Sequence, residues 1–188
     1  MVEIGRYFET ITDLPDEDWE KFHSRLVRQE YPKKTVLLEA GKTENYLSFI
    51  EKGLIRMYVP GDTNDITFAF AFENAFLSGY ESFLSRTPSD YRVETLTPTI
   101  LWRLTYDDLQ VIYRETSAGN IIGRHASEGL FLESSRRELS LLTQTAEQRY
   151  LNLLQEQPKL IREIPLKYLA SYIGITPQAL SRIRNRIS

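Results

Sequence analysis

In the stretch IPLKYLASYIGITPQALSRIRNRIS, Gln178, Ser181, Arg182 and Asn185 follow one another at steps of three, one and three residues, with Lys167, Thr176, Arg184 and Arg186 close by. These side chains carry the donors and acceptors that duplex nucleic acid accepts. A Gln amide pairs bidentately with adenine and an Arg guanidinium with guanine on the edges exposed in the major groove. Ser, Thr, Asn, Lys and the remaining Arg residues suit phosphate oxygens, which fix position without reading sequence.

The charge is distributed to match. The whole chain has a net charge of -3, yet from Thr143 onward seven Lys and Arg residues stand against three Glu, a net +4, leaving -7 for the rest. A basic carboxyl end on an acidic body is expected where only that end meets phosphate.

Other chemistry finds little support. The 188 residues include no cysteine, which excludes disulfides, thiolate metal sites and a cysteine nucleophile. The two histidines, His23 and His125, lie outside the strand-like region, so no catalytic set, no metal site and no cofactor are expected. The start, MVEIGRYFET, lacks the basic-then-apolar pattern of a leader, and the longest apolar run, ITFAFAF, is too short to cross a bilayer. The sequence therefore predicts a cytoplasmic protein with no membrane contact.

The donors need elements to hold them. Two short helical patterns, Leu166–Ile173 and Pro177–Ile187, are separated by Gly174, Ile175 and Thr176 alone. A helix–turn–helix needs a small residue where its helices meet, a residue tolerant of positive φ at the turn, and aliphatics from both helices. Ala170, Gly174, Leu169, Ile173, Ile175, Leu180 and Ile183 fill those places, Thr176 caps the second helix and Pro177 opens it. Before this motif, TAEQRYLNLLQEQ predicts a further helix from the cap Thr145.

Upstream, a helical pattern runs from about Tyr106, and within it Ala118, Ile122, His125, Gly129, Leu132, Arg136 and Leu139 repeat at alternating four-and-three spacing, with Ala126 alongside. That is a seam for a partner helix, and Ile122, Ala126, Gly129 and Leu132 are its expected contacts. A mid-helix Gly costs about 1 kcal/mol against Ala, a cost that close approach of a second backbone offsets. From Thr35 to about Leu104 the period is two, predicting an antiparallel β unit, with Ile66, Phe68, Phe70 and Phe72 on the core face of one strand. PDEDWEKFHSRLVRQ predicts an amphipathic helix before it.

This order of parts resembles the Crp/Fnr family of bacterial transcription regulators, most specifically in IPLKYLASYIGITPQALSRIR and less so in LEAG (Leu38–Gly41) and YLSFIEKG (Tyr46–Gly53), which look like the paired glycine turns of the family's nucleotide-binding jelly roll. The resemblance implies an α+β protein: an amino-terminal antiparallel β jelly roll with flanking helices as sensor (1–108), a long dimerisation helix (109–142) and a carboxyl-terminal helix–turn–helix domain (143–188). It implies a homodimer on palindromic promoter DNA, with RNA polymerase and a small-molecule effector as further partners, and it matches the family's base-reading Glu and Arg to Gln178 and Arg182.

Family members that bind cyclic AMP carry Gly-Glu and, ten residues later, Arg-Ser in the phosphate-binding segment. Here GYESFLSRTPSDYR keeps Gly79, replaces the Glu by Tyr80 and replaces Arg-Ser by Asp90 and Tyr91, with Arg92 two residues beyond Asp90. A carboxylate where an anion should sit repels it. The expectation is an effector other than cyclic AMP, or none. No residues remain after the second helix for the hairpin wing of many relatives. The alternative function is a small-molecule-binding signalling module whose carboxyl helices make protein contacts; an enzyme is not expected.

Overall fold

The computed structural model describes residues 2–187; Met1 and Ser188, the outer bounds of the first and last expected domains, lie outside it. The chain forms two compact units. One holds the chain up to Met57 together with Phe70–Gly129, and the other holds Tyr58–Ala69 and the chain from Leu130 onward.

Two four-stranded sheets make the β roll. One has β1 (Val27–Tyr31), β8 (Thr99–Thr105), β3 (Tyr46–Lys52) and β6 (Phe76–Leu77) side by side in that order; the other has β2 (Val36–Leu38), β7 (Arg92–Thr95), β4 (Leu54–Val59) and β5 (Ile66–Phe72). β8 pairs antiparallel with both neighbours, Leu101 standing opposite Gln29 on one side and Ile50 on the other. Alternation along β3 and β8 gives each strand two buried faces. Ile50 and Leu101 join Leu38, Ile55, Leu77 and Val93 inside the roll. Phe49 and Leu104 turn the other way and meet α1 (Val2–Glu9), α2 (Asp16–His23) and α4 (Tyr106–Glu115) through Ile4, Phe8, Phe22, Leu109 and Ile112. Phe8, Phe49 and Leu104 are each 1% exposed, and burying each contributes about 2 kcal/mol.

Three features differ from the sequence pattern. The helix predicted over PDEDWEKFHSRLVRQ stops at His23, and Val27–Gln29, read as its end, belongs to the edge strand β1, laddered to Arg103–Thr99. Strand β5 does not bury the predicted face as a whole: Ile66 is 62% exposed, Phe68, Phe70 and Phe72 are half-buried as Ala69 and Ala71 are, and it is Thr67 that is 1% exposed and Ala71 that packs on the roll interior. β5 ends its sheet, next to β4. The helical stretch after Tyr106 is two helices, α4 and α5 (Gly119–Thr143), broken at Thr116–Ala118.

That break is held by Asp18, whose carboxylate accepts from the Ser117 hydroxyl at 2.7 Å and the Ala118 N–H at 2.9 Å. Burial pushes its pKa up, but the hydrogen bonds from Ala118 and Ser117, with Lys21 nearby, outweigh it and hold the carboxyl below its ordinary 3.8. A pKa lower in the folded than in the unfolded chain contributes stability above about pH 4 that is lost as pH falls through the folded value. Asp18→Asn is expected to lower the thermal midpoint at pH 7 and to lose that deficit toward about pH 3. A deficit unchanged across that range would contradict the assignment.

Candidate nucleic-acid interface and ligand-pocket region

After α5 come α6 (Ala146–Glu156), α7 (Pro158–Glu163), α8 (Leu166–Ile173) and α9 (Pro177–Ile187). The cap of α6 is as the sequence predicts: the Thr145 hydroxyl accepts from Gln148 N–H, and the Gln148 side chain accepts from Thr145 N–H. Pro158 opens α7, a short helix that carries no cap of its own. Tyr150, Leu160, Ile164, Leu169, Ala170, Ile173, Leu180 and Ile183 are all buried, and α8 packs against both α6 and α9.

The turn after α8 has the geometry its residues allow. Gly174 stands at φ +87°, its N–H donates to Ala170 O and Ser171 O, and Ile175 N–H donates to Ala170 O, each at 3.0 Å. A residue with a Cβ pays for that left-handed conformation, so glycine belongs there. Thr176 caps α9, its hydroxyl accepting from Ala179 N–H at 3.2 Å.

With about 100° per residue, burial of Leu180 and Ile183 turns Gln178, Ser181, Arg182 and Asn185 to the opposite side of α9. Gln178, Arg182 and Asn185 are exposed; Ser181 is half-buried and donates to Pro177 O at 3.0 Å. Arg184 and Arg186 flank this stripe, both exposed, and Arg186 is paired with Glu147 at 2.7 Å. Lys167, on the exposed side of α8, holds its ammonium 4.6 Å from the centre of the Tyr168 ring. Thr176 is exposed beside them.

Along the proposed seam of α5, Ala126, Gly129 and Leu132 are exposed, and a Cβ built on Gly129 meets nothing within 4 Å. Ile122 is different: it is half-buried against the core of α1, α2 and α4.

The pocket residues are dispersed. Gly79 is buried at the start of α3 (Tyr80–Ser85), where a Cβ would come within 2.5 Å of Leu38. Its N–H points at the Glu44 carboxylate, 3.3 Å away. Tyr80 shares a hydrogen bond of 3.2 Å with Ser127. Asp90 is exposed, whereas Tyr91 packs on the roll interior, and burial, with Glu81 and Glu44 adding to it, pushes its phenol up to about 12. Arg92 alternates with buried Val93 and pairs with Glu39 at 2.7 Å.

Two residues that the sequence does not single out dominate this region. Glu44, 5% exposed, also accepts from the N–H groups of Asn45 at 2.9 Å and Tyr46 at 3.0 Å. Arg103, 8% exposed, donates to Tyr31 at 2.7 Å, Ser48 at 3.2 Å and Gln29 at 3.3 Å, lies 3.9 Å from Glu44 and stacks on the Tyr46 ring at 3.9 Å. The signal for Arg103 was its position two residues from Leu101 in TILWRLT, on the inward-facing phase. Arg103 thus spends its donors on the chain's own groups, and a carboxylate already occupies the N–H that opens α3.

Among the described residues, no group of three or more His, Cys, Asp or Glu is placed to hold a metal, and no helix is long and apolar enough to cross a membrane.

Residues 28–116 match the family described as the cyclic nucleotide-binding domain. No curated protein matches the chain. Among solved structures it resembles the cyclic di-GMP-responsive global regulator of Xanthomonas campestris, with 17% identity, a TM-score of 0.69, and coverage of 92% of this chain and 91% of that one. A Crp/Fnr-family regulator from Eubacterium rectale gives 16% identity, a TM-score of 0.71, and coverage of 93% and 83%. The catabolite activator protein of Thermus thermophilus gives 19%, 0.58, and 94% and 85%. At these identities the likeness is one of fold: antiparallel sheets with flanking helices and a long helix, an arrangement that resembles those structures.

Proposed function

We propose that the chain is a non-enzymatic, DNA-binding transcription regulator of the Crp/Fnr type, a homodimer that reads a palindromic promoter site and is controlled by an effector other than cyclic AMP or by none. The observation that carries this is the stripe of Gln178, Ser181, Arg182 and Asn185 opposite the buried side of α9, with Arg184 and Arg186 on its flanks. A short helix so held presents its side chains to a major groove while the flanking cations meet phosphate. The fold shared with Crp/Fnr regulators supports the same reading. It brings with it a cytoplasmic location and RNA polymerase as a partner. The direct test is retardation of promoter-length duplexes by the full chain, with affinity falling steeply as salt rises because bound phosphates release counterions. Failure to retard any duplex at low salt would favour the alternative, in which α8 and α9 serve protein contacts.

Cyclic AMP is expected to bind weakly or not at all. Tyr80, engaged with Ser127, and exposed Asp90 replace the two anchoring groups, and Glu44 adds a carboxylate against the α3 amide. Charged hydrogen bonds of this kind contribute roughly 1.5–3 kcal/mol each, so losing two weakens binding by several orders of magnitude. Calorimetric titration of the purified protein checks this, and a micromolar dissociation constant would overturn it.

A further inference from the structure

Two contacts fix which side of the first half of α5 is covered by its own chain. A Cβ at Gly123 would come within 2.5 Å of the Tyr113 hydroxyl. One turn on, Ser127 donates to the Gly123 carbonyl at 2.9 Å and shares its hydrogen bond of 3.2 Å with Tyr80. His125 and Gly129 stand two residues before and two after Ser127, about 200° round the helix at 100° per residue, and both are exposed. Glu128 follows His125 by three residues, so the two side chains are neighbours on one face. Its pairing with Arg124 at 3.9 Å, between two largely exposed side chains, holds it only weakly.

One imidazole and one carboxylate are too few to hold a metal ion. A second copy doubles them. A pair whose two carboxyl ends serve one duplex runs parallel, and its seam positions then face their own copies, His125 against the partner's His125. Gly129, the next seam residue, brings no side chain, which leaves room on the axis beside the imidazoles for the Glu128 carboxylates that flank it.

We propose that His125 and Glu128, together with the same two residues of the second copy, form a site for a zinc-class divalent metal ion on the two-fold axis of the homodimer. Two imidazoles and two carboxylates are a donor set that suits four-coordinate Zn²⁺, and the two carboxylate charges balance that of the ion. Because half the ligands come from each chain, the ion binds the dimer alone and strengthens association. The other histidine, His23, lies on α2 with its ring 5.5 Å from that of Trp19 and takes no part. The inference rests on the homodimer of the function proposed above.

The test uses the full chain without a histidine tag, stripped by a chelator, with Zn²⁺ as the probe. Equilibrium dialysis is expected to retain one zinc per two chains. Sedimentation is expected to show dimer affinity raised about a hundredfold when free zinc stands at about a hundred times its dissociation constant. His125→Ala is expected to lose both effects, Glu128→Gln to weaken zinc binding while leaving the metal-free dimer unchanged, and His23→Ala to alter neither. A dimer that takes up no zinc, that takes up one zinc per chain, or whose uptake survives in His125→Ala would overturn the site and leave the dimer standing. A chain that stays monomeric with and without zinc would overturn the site and the dimer together.

Discussion

Replacing Gly129 by glutamate is expected to turn a dimer into a monomer and to cost about 10²–10⁴-fold in DNA affinity, since each chain then binds without the effective concentration its tethered partner supplies. On the predicted seam of the helix that carries Gly129, Leu132 is 51% and Leu139 58% exposed in the single chain. Exposed apolar side chains along one stripe are what the proposed partner helix would cover. The substitution is a clean probe because a Cβ at Gly129 meets nothing within 4 Å, so the chain's own fold has no reason to change. The folded monomer should even gain about 1 kcal/mol of helix propensity. Sedimentation of parent and variant at micromolar concentration checks the claim. A parent protein that is already monomeric, or a variant that still dimerises and binds DNA as the parent does, would contradict it.

Why α8 and α9 were legible in the sequence, and the interior of the roll was not, has a physical explanation. The features that define the two helices are local: Gly174 at a left-handed turn, Thr176 and Pro177 at a helix start, and the aliphatics at Leu169, Ile173, Leu180 and Ile183 all act within some fifteen residues. The face of β5 is decided by packing instead. Both of its faces, Ile66-Phe68-Phe70-Phe72 and Thr67-Ala69-Ala71, satisfy a period of two, and only the second sheet determines which one is covered. The hidden Glu44 and Arg103 belong to the same class, because their partners Gly79, Ser48 and the β1 pair Gln29 and Tyr31 come from three separate places in the chain. The break between α4 and α5 depends likewise on Asp18, about a hundred residues away. α1, α3 and α7, at six to eight residues, are too short to show a periodic stripe.

Arg182→Ala is expected to cost about 1–3 kcal/mol per half-site, hence roughly twice that on a palindrome, and to relax preference at one base pair in each half. Arg182 is exposed in the middle of the stripe, one turn from Gln178 and opposite buried Leu180 and Ile183. Lys167→Ala should behave differently in kind. Its ammonium sits on α8, off that stripe, so its loss should weaken all sequences alike and reduce the salt slope by about one unit per site contacted. Binding curves on a specific duplex and on random duplex at several salt concentrations separate the two. Equal losses on both duplexes for Arg182→Ala would show that it holds phosphate and reads no base.

The central claim is that two copies of α9, related by two-fold symmetry, read DNA. Selection of bound duplexes from a random library with the purified full chain tests it most directly. The account predicts enrichment of an inverted repeat whose half-sites lie about one helical turn, roughly 10 bp, centre to centre, with Arg182→Ala erasing preference at one position in each half. Recovery of a library with no enriched sequence, or of single half-sites without a repeat, would contradict it.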